Sequence, residues 1–200
     1  MSGRNAYGTH KLLLSAILRR VNKSVLELGV GHNSTPLIHN AMKRKNIDIL
    51  TIDSDSYWIR RYAKLKSDKH KFKYYNSEEL KGFYATDTTA WELVFVDNSP
   101  WEARTQAINK YREIADYVIL HDCNYFPDTN IFGKTISPIN ANARVMGKRN
   151  YDDIFKYWVE FFVDDWGIRS PPTLLGSNKI NVEAIVIEGM VIANKSNYNE

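Results

Sequence analysis

Along this chain, short continuous apolar runs alternate with stretches whose apolar residues recur every three or four positions. Residues 25–28, 47–53, 92–97 and 117–120 are runs of the first kind and read as strands buried on both faces. Ahead of the first, Leu14, Ile17, Leu18 and Val21 mark an amphipathic helix within 7–21. Residues 36–45 continue the theme, with Leu37, Ile38, Ala41 and Met42 turned inward and a basic end suited to a helix C-terminus. Asp55 or Ser56 opens a further helix whose Trp58, Ile59, Tyr62 and Leu65 share a face, a spacing that favours core packing for Trp58 over the alternative of a ring packed near a bound base. Residues 71–76 alternate Lys with Phe and Tyr, as an edge strand with one wet face does. Residues 77–90 have little period and read as a loop with a short helical piece. Helical spacing returns through Ile108, Tyr111 and Ala115, within 101–115.

Strands that alternate with helices imply a parallel sheet covered on both faces, with right-handed crossovers. After residue 123 the pattern changes. Residues 124–150 hold Pro127, Asp128, Gly133, Pro138 and several Asn, with no surviving period, and read as a long loop on the ligand side of the sheet. Residues 155–163 fit either a strand or a helix. Residues 182–193 suggest a hairpin or an extra strand, which, if exposed, is a candidate homodimer surface; residues 194–200 read as a frayed tail. The whole, 1–200, reads as a single domain.

Composition changes this picture little. The chain is 44% hydrophobic and 25% charged, as ordinary soluble domains are. No run approaches the roughly 20 apolar residues of a membrane span, and residues 1–10 hold no apolar signal core. Its one cysteine, Cys123, excludes an internal disulfide. These features suit a soluble cytoplasmic setting. Net charge is +4, concentrated in Arg60, Arg61, Lys64, Lys66, Lys69, Lys71 and Lys73. That segment reads as a solvated face, with a phosphate- or nucleic-acid-binding patch as the sharper alternative.

The chemistry centres on residues 24–35, SVLELGVGHNST. A buried strand runs into Gly29 and Gly31, then into Ser34, Thr35 and Pro36, which suit a helix start. Glycines let a ligand approach the backbone, and the helix end adds N–H groups and a dipole. Asp53 closes the next strand within TIDSD. Strand, glycine turn, helix, strand and acid together read as a nucleoside-cofactor pocket. The dinucleotide fingerprint wants glycine where Ser34 stands, which argues against a nicotinamide-dependent oxidoreductase. Asp97 and Asp122 end two further strands, with His121 beside the latter, and form the best acid–base grouping in the chain.

The pattern Glu27-x-Gly29-x-Gly31 resembles motif I of the class I S-adenosylmethionine (SAM) methyltransferases. TIDSDSYW at 51–58 resembles their second motif. LVFVDNSPWEAR at 93–104 is similar to their fourth strand in the small-molecule and sugar O-methyltransferases, and DYVILHDCNYF at 116–126 to the fifth. The resemblance covers roughly residues 20–126. It implies a Rossmann-like α/β fold, with a mostly parallel seven-stranded sheet, helices on both faces and an antiparallel closing strand. It therefore favours a strand at 155–163, paired with 173–177.

The activity implied is SAM-dependent methyl transfer to a hydroxyl of a small molecule, a sugar among the candidates. Cofactor contacts are expected from Glu27, Gly29, Gly31, Asn33, Ser34, Asp53, Ser77, Glu78 and Asp97. Ser77 and Glu78 enter by position alone, and Glu27 either receives the methionine amine or tethers the turn. Asp97, His121 and Asp122 are the expected catalytic residues. Catechol-type members place Asp, Asp and Asn at these strand ends as divalent-metal ligands. Here Cys123 separates Asp122 from Asn124, so a divalent metal on Asp97, Asp122 and Asn124 stays the less favoured alternative and no metal ligand is assigned. Asn98-Ser99-Pro100-Trp101 invites comparison with amino-methyltransferases acting on adenine, but Ser99 replaces the first proline. His10, His32 and His39 stand isolated in sequence and receive no metal role. The remaining alternatives are a non-catalytic SAM-fold partner protein and a nucleic-acid methyltransferase.

Overall fold

The computed structural model describes residues 8–123, 151–163 and 172–194. The expected loop at 124–150 and the tail beyond 194 lie outside the described residues. Five helices and eight strands follow in chain order: α1 (Lys11–Arg20), β1 (Ser24–Leu28), α2 (Ser34–Lys45), β2 (Asp48–Asp53), α3 (Ser56–Arg61), β3 (His70–Tyr74), α4 (Ser77–Thr86), β4 (Leu93–Val96), α5 (Trp101–Tyr111), β5 (Tyr117–His121), β6 (Tyr157–Val163), β7 (Thr173–Ser177) and β8 (Met190–Asn194). They form one sheet in the order β3-β2-β1-β4-β5-β7-β6-β8. Strands β1 to β5 pair parallel, while β7 returns antiparallel to β5 and to β6. Strand β8, which pairs antiparallel with β6, makes the sheet eight-stranded.

Both sheet faces are covered, which explains the continuous apolar runs. On one face, Val25, Leu93 and Phe95 pack with Leu14, Ile17 and Leu18 of α1 and Ile38 and Met42 of α2. On the other, Leu26, Leu28, Val94 and Val96 pack with Leu80 and Tyr84 of α4 and Ala107, Ile108 and Tyr111 of α5. Alternate residues of one strand thus serve opposite cores. Glu27, on a central strand, is fully buried with them.

Two expectations at element level are corrected. Residues 77–86 are not a loop but the ten-residue helix α4. Asn76 starts it through a capping box: its side chain accepts from the Glu78 and Glu79 N–H groups, and Glu79 accepts from the Asn76 N–H. Helix α3 is short and carries no buried residue, so Trp58 is not a core residue. At 155–163 the strand is the form adopted.

Candidate functional site

Parallel register brings the strand ends together. Leu28 of β1 lies beside Ile52 of β2 and Val96 of β4, and Val96 lies beside Leu120 of β5. The residues that follow, Gly29, Asp53, Asp97 and His121, therefore share the C-terminal edge of the sheet, where ligands of open α/β sheets bind. A cavity of about 440 Å³ opens there, bordered by Val30, Gly31, His32 and Asn33 of the turn and by Asp97, His121 and Asp122. His10, Trp58 and Arg104 complete its lining.

Gly29 has φ +97°, and a Cβ there would stand 2.5 Å from the Asp97 carbonyl oxygen. Both the backbone angle and the close passage of β4 require glycine. At Gly31 a Cβ would stand 2.7 Å from Ser34 Oγ. Asp53 braces this turn: Oδ2 accepts the Val30 N–H at 2.7 Å and Oδ1 accepts the Asp55 N–H at 2.7 Å. Burial raises its pKa above the usual value, against those two hydrogen bonds. Helix α3 is capped by Asp55, not Asp53.

Glu27 lies beneath the turn. Its Oε1 accepts from Thr35 Oγ1 and its Oε2 from Thr51 Oγ1, each at 2.8 Å, while Thr35 Oγ1 accepts the Gly31 N–H at 3.0 Å. Of the two roles expected for Glu27, this geometry is that of a tether. Burial pushes its pKa up to about 7, in spite of the surrounding hydroxyls.

Asp97, His121 and Asp122 meet on the other side of the cavity. His121 Nδ1 lies 3.2 Å from Asp97 Oδ1, and Nε2 lies 3.2 Å from Asp122 Oδ1. Neither contact is aligned as a hydrogen bond, since His121 Nδ1 and Asp122 Oδ1 have no hydrogen-bond partner among the described residues. Nε2 also stands 3.2 Å from Thr9 Oγ1. Burial alone would raise the pKa of Asp97, but the His121 ring, with Arg104 behind it, holds it below the usual carboxylate range. The converse holds for His121: burial opposes its charge, yet Asp97 and then Asp122 raise its pKa. Asp122 is raised, chiefly by burial. It also sits at φ +52°, a left-handed conformation uncommon outside glycine, at the point where the chain leaves β5.

Arg104 joins the two strand ends. Its Nε donates to the Asn98 carbonyl at 2.7 Å, one terminal nitrogen to the His121 carbonyl at 2.8 Å and the other to Asp97 Oδ1 at 2.9 Å. The sequence signal for it is its place in residues 93–104. His10 and His32 carried no such signal, while Trp58, for which core packing was the favoured expectation, takes the alternative place at the cavity. His32 faces Trp58 edge-on at 4.8 Å, and the His10 ring stands 4.3 Å from that of His121. Both His10 nitrogens are buried without a hydrogen-bond partner among the described residues. Burial and the neighbouring His121 lower its pKa to about 3. His10, Asp97 and His121 also present donor atoms within 4.8 Å of one another, a spacing open to a metal ion. The Arg104 guanidinium, however, already sits on the Asp97 oxygen as a cation.

The remaining candidates lie elsewhere. Ser77 and Glu78 stand exposed in the first turn of α4, outside the cavity lining, with Glu78 paired to Lys81 at 2.7 Å. Asn98 is buried and donates to Tyr84 Oη at 3.2 Å, so it does not present its amide to the cavity as the adenine comparison would require. Cys123 is buried against Glu160.

No protein-family profile and no curated protein matches the chain. Solved structures do. A Staphylococcus aureus structure named for caffeoyl-CoA O-methyltransferase superposes with a TM-score of 0.53 at 13% identity, covering 82% of this chain and 79% of the other. The Methanococcus jannaschii fibrillarin pre-rRNA processing protein gives 0.52 at 11% identity, covering 88% and 85%. No helix among the described residues is long and apolar enough to cross a membrane. At such identities the likeness is one of architecture, and the chain has the Rossmann-like α/β fold of the class I methyltransferases.

Proposed function

We propose that the chain is a SAM-dependent methyltransferase that modifies a hydroxyl group of a small acceptor, with sugars first among the candidates. The observation that carries this reading is a single cavity bordered by both the glycine turn and the Asp97–His121–Asp122 cluster. At about 440 Å³ it has the size of ordinary small-molecule sites. The two structures named above add the fold, and the O-methyltransferase name of one agrees with a hydroxyl acceptor.

Bound SAM supplies an electrophilic methyl group on a sulfonium centre. Gly31 and Asn33, which border the cavity, would hold this cofactor at the start of α2, while Gly29 and the fully buried Ser34 lie behind them and shape the turn. Asp53 keeps the turn in place, and each of its oxygens retains a lone pair for a ribose hydroxyl. Asp97 would accept a hydrogen bond from the acceptor hydroxyl, and the cluster it forms with His121 and Asp122 would take the proton as the oxygen bonds the methyl carbon and the carbon–sulfur bond breaks, with S-adenosylhomocysteine as the leaving group. Such a base contributes typically about 10²–10⁴-fold, and alignment of the reactants contributes further. Arg104 aims Asp97 and, after the His121 ring, helps to keep it ionised.

Isothermal titration calorimetry tests the cofactor half: SAM and S-adenosylhomocysteine should bind one to one, and Asp53→Ala should weaken both about tenfold or more. Absence of SAM binding by the folded wild-type protein removes the reading. For the chemical half, Asp97→Asn should leave SAM affinity within about threefold while cutting turnover on a hydroxylated acceptor about 100-fold or more. Turnover confined to RNA in a side-by-side acceptor screen overturns the small-molecule part.

A further inference from the structure

A second and larger cavity, of about 570 Å³, lies at the opposite end of the sheet, where β2 and β3 begin. Buried Ile47 and Ile49 and half-buried Leu65 give it an apolar side. Lys43 of α2 and Lys64, Lys66 and Lys69 from the connection between α3 and β3 give it a cationic one. Lys69 pairs with Asp48 at 3.1 Å, and Asp68, the acid in the lining, lies 3.9 Å from Lys71. Lys43, Lys64 and Lys66 have no carboxylate partner among the described residues. Three uncompensated cations from two separate segments thus face one cleft.

His39 and His70 stand in its wall. Their Nδ1 atoms are 3.0 Å apart, so one must carry the hydrogen and the other the lone pair. The network assigns which. Thr51 Oγ1 spends its hydrogen on Glu27, so His70 Nε2, 2.8 Å away, is the donor to Thr51. Burial disfavours the charged form of His70, which makes its Nδ1 the acceptor. His39 Nδ1 is then the donor, and His39 Nε2 is left for a ligand. From Glu27 the chain continues through Thr35 Oγ1 to the Gly31 N–H. An unbroken run of hydrogen bonds, whose two arms both donate toward Glu27, therefore joins the wall of the second cavity to the glycine turn of the first.

We propose that the second cavity binds a phosphate-bearing small molecule, of which a nucleotide is the natural size, and that the hydrogen-bond run from His39 to Gly31 ties its occupancy to the glycine turn. The lysines take the phosphate oxygens, His39 Nε2 accepts an N–H or O–H of the ligand, and the Ile47–Ile49–Leu65 side takes an attached ring. The binding stands by itself; the coupling rests on the cofactor reading above. Coupling of this kind is reciprocal, because each ligand biases the one network that both touch.

Titration calorimetry on the full chain tests both parts, with inorganic phosphate, pyrophosphate and ADP as probes. ADP should bind one to one, at least about tenfold more weakly after Lys43→Glu with Lys66→Glu, two exposed positions whose reversal leaves the core intact. Inorganic phosphate and pyrophosphate show whether the phosphate alone suffices. Saturating ADP should change the S-adenosylhomocysteine affinity about fivefold or more, and saturating S-adenosylhomocysteine should change the ADP affinity by the same factor. Thr51→Val should keep ADP binding and abolish that change, and Thr51→Ser, which retains the hydroxyl, should restore it. No saturable binding of any probe, or equal binding by the charge-reversed variant, overturns the site. So does one-for-one competition between ADP and S-adenosylhomocysteine, or binding seen only with a long oligonucleotide. ADP binding without any change in S-adenosylhomocysteine affinity overturns the coupling. ADP binding by a protein that ignores S-adenosylhomocysteine supports the anion site and refutes the cofactor reading instead.

Discussion

Arg104 has three acceptors from two strand ends within hydrogen-bond distance, and one of them is the carboxylate on which the proposed chemistry turns. Arg104→Leu keeps much of the volume but leaves Asp97 without its permanent cation in a buried place. Breaking one side of a buried pair costs about 3–5 kcal/mol, and urea denaturation should show a loss of that order. Glu27 argues in the opposite sense. Its folded pKa is raised from 4.5 to about 7, so the folded state favours the proton. Its contribution to stability is complete below about pH 4.5 and is lost as pH rises through about 7. His10 and His70, lowered to about 3, behave conversely, adding stability as pH rises from about 3 to 6.5. Comparison of wild type with Glu27→Gln cancels those two histidines. The variant should gain on wild type between pH 5 and 8, by roughly 3 kcal/mol at the top. A flat difference across that range would show that Glu27 titrates as an ordinary carboxylate. The residues that sequence alone could single out were those in a local pattern: Gly29, Gly31, Asp53, Asp97 and Arg104. His10 belongs to no such pattern. Only the placement of α1 beside β4 and β5 brings it to His121, and strand order is not written in any one segment.

At the scale of elements, periodicity served where one face of a segment is buried and failed where the helix is held by its end. Helix α4 buries only Leu80 and Tyr84, too few to set a clear period, and the capping box at Asn76 and Glu79 fixes its start instead. That Asn-x-x-Glu spacing is legible in the sequence but carries no apolar repeat. Asn76→Ala should therefore cost about 1 kcal/mol, within a range of about 0.5–2, measurable as a shift of the urea midpoint at unchanged slope. Helix α3 shows the reverse error. Trp58 has helical spacing with Ile59 and Tyr62, yet the helix ends at Arg61 and buries nothing, which turns Trp58 toward His32 and the cavity. Strand β6 could not be decided by period, because residues 155–163 satisfy both repeats. Pairing with β7 on one side and β8 on the other decides it, and no repeat within the segment itself reports those partners.

Over the molecule as a whole, the two cores hold a rigid sheet whose C-terminal edge carries almost every charged group of the proposed chemistry. Rigid strands fix Asp53, Asp97 and His121 before any ligand arrives, so binding need not reorganise them. A ligand that enters this edge stabilises the fold by mass action, by about 2.7 kcal/mol at 100 times its dissociation constant. For a chain of this size each kcal/mol moves the melting temperature roughly 2–4 °C, so saturating S-adenosylhomocysteine should raise Tm by about 5–10 °C. NAD should give no comparable shift, because Ser34 stands where the dinucleotide turn needs its third glycine. The shift should also be confined to an intact turn. Gly29→Ala forces a side chain against the Asp97 backbone at a positive φ, which costs about 1–3 kcal/mol and displaces the turn from β4. That variant should melt lower and show almost no response to S-adenosylhomocysteine. An equal response from NAD, or a full response from Gly29→Ala, would mean that the adenosyl group is held somewhere other than the strand-end cavity.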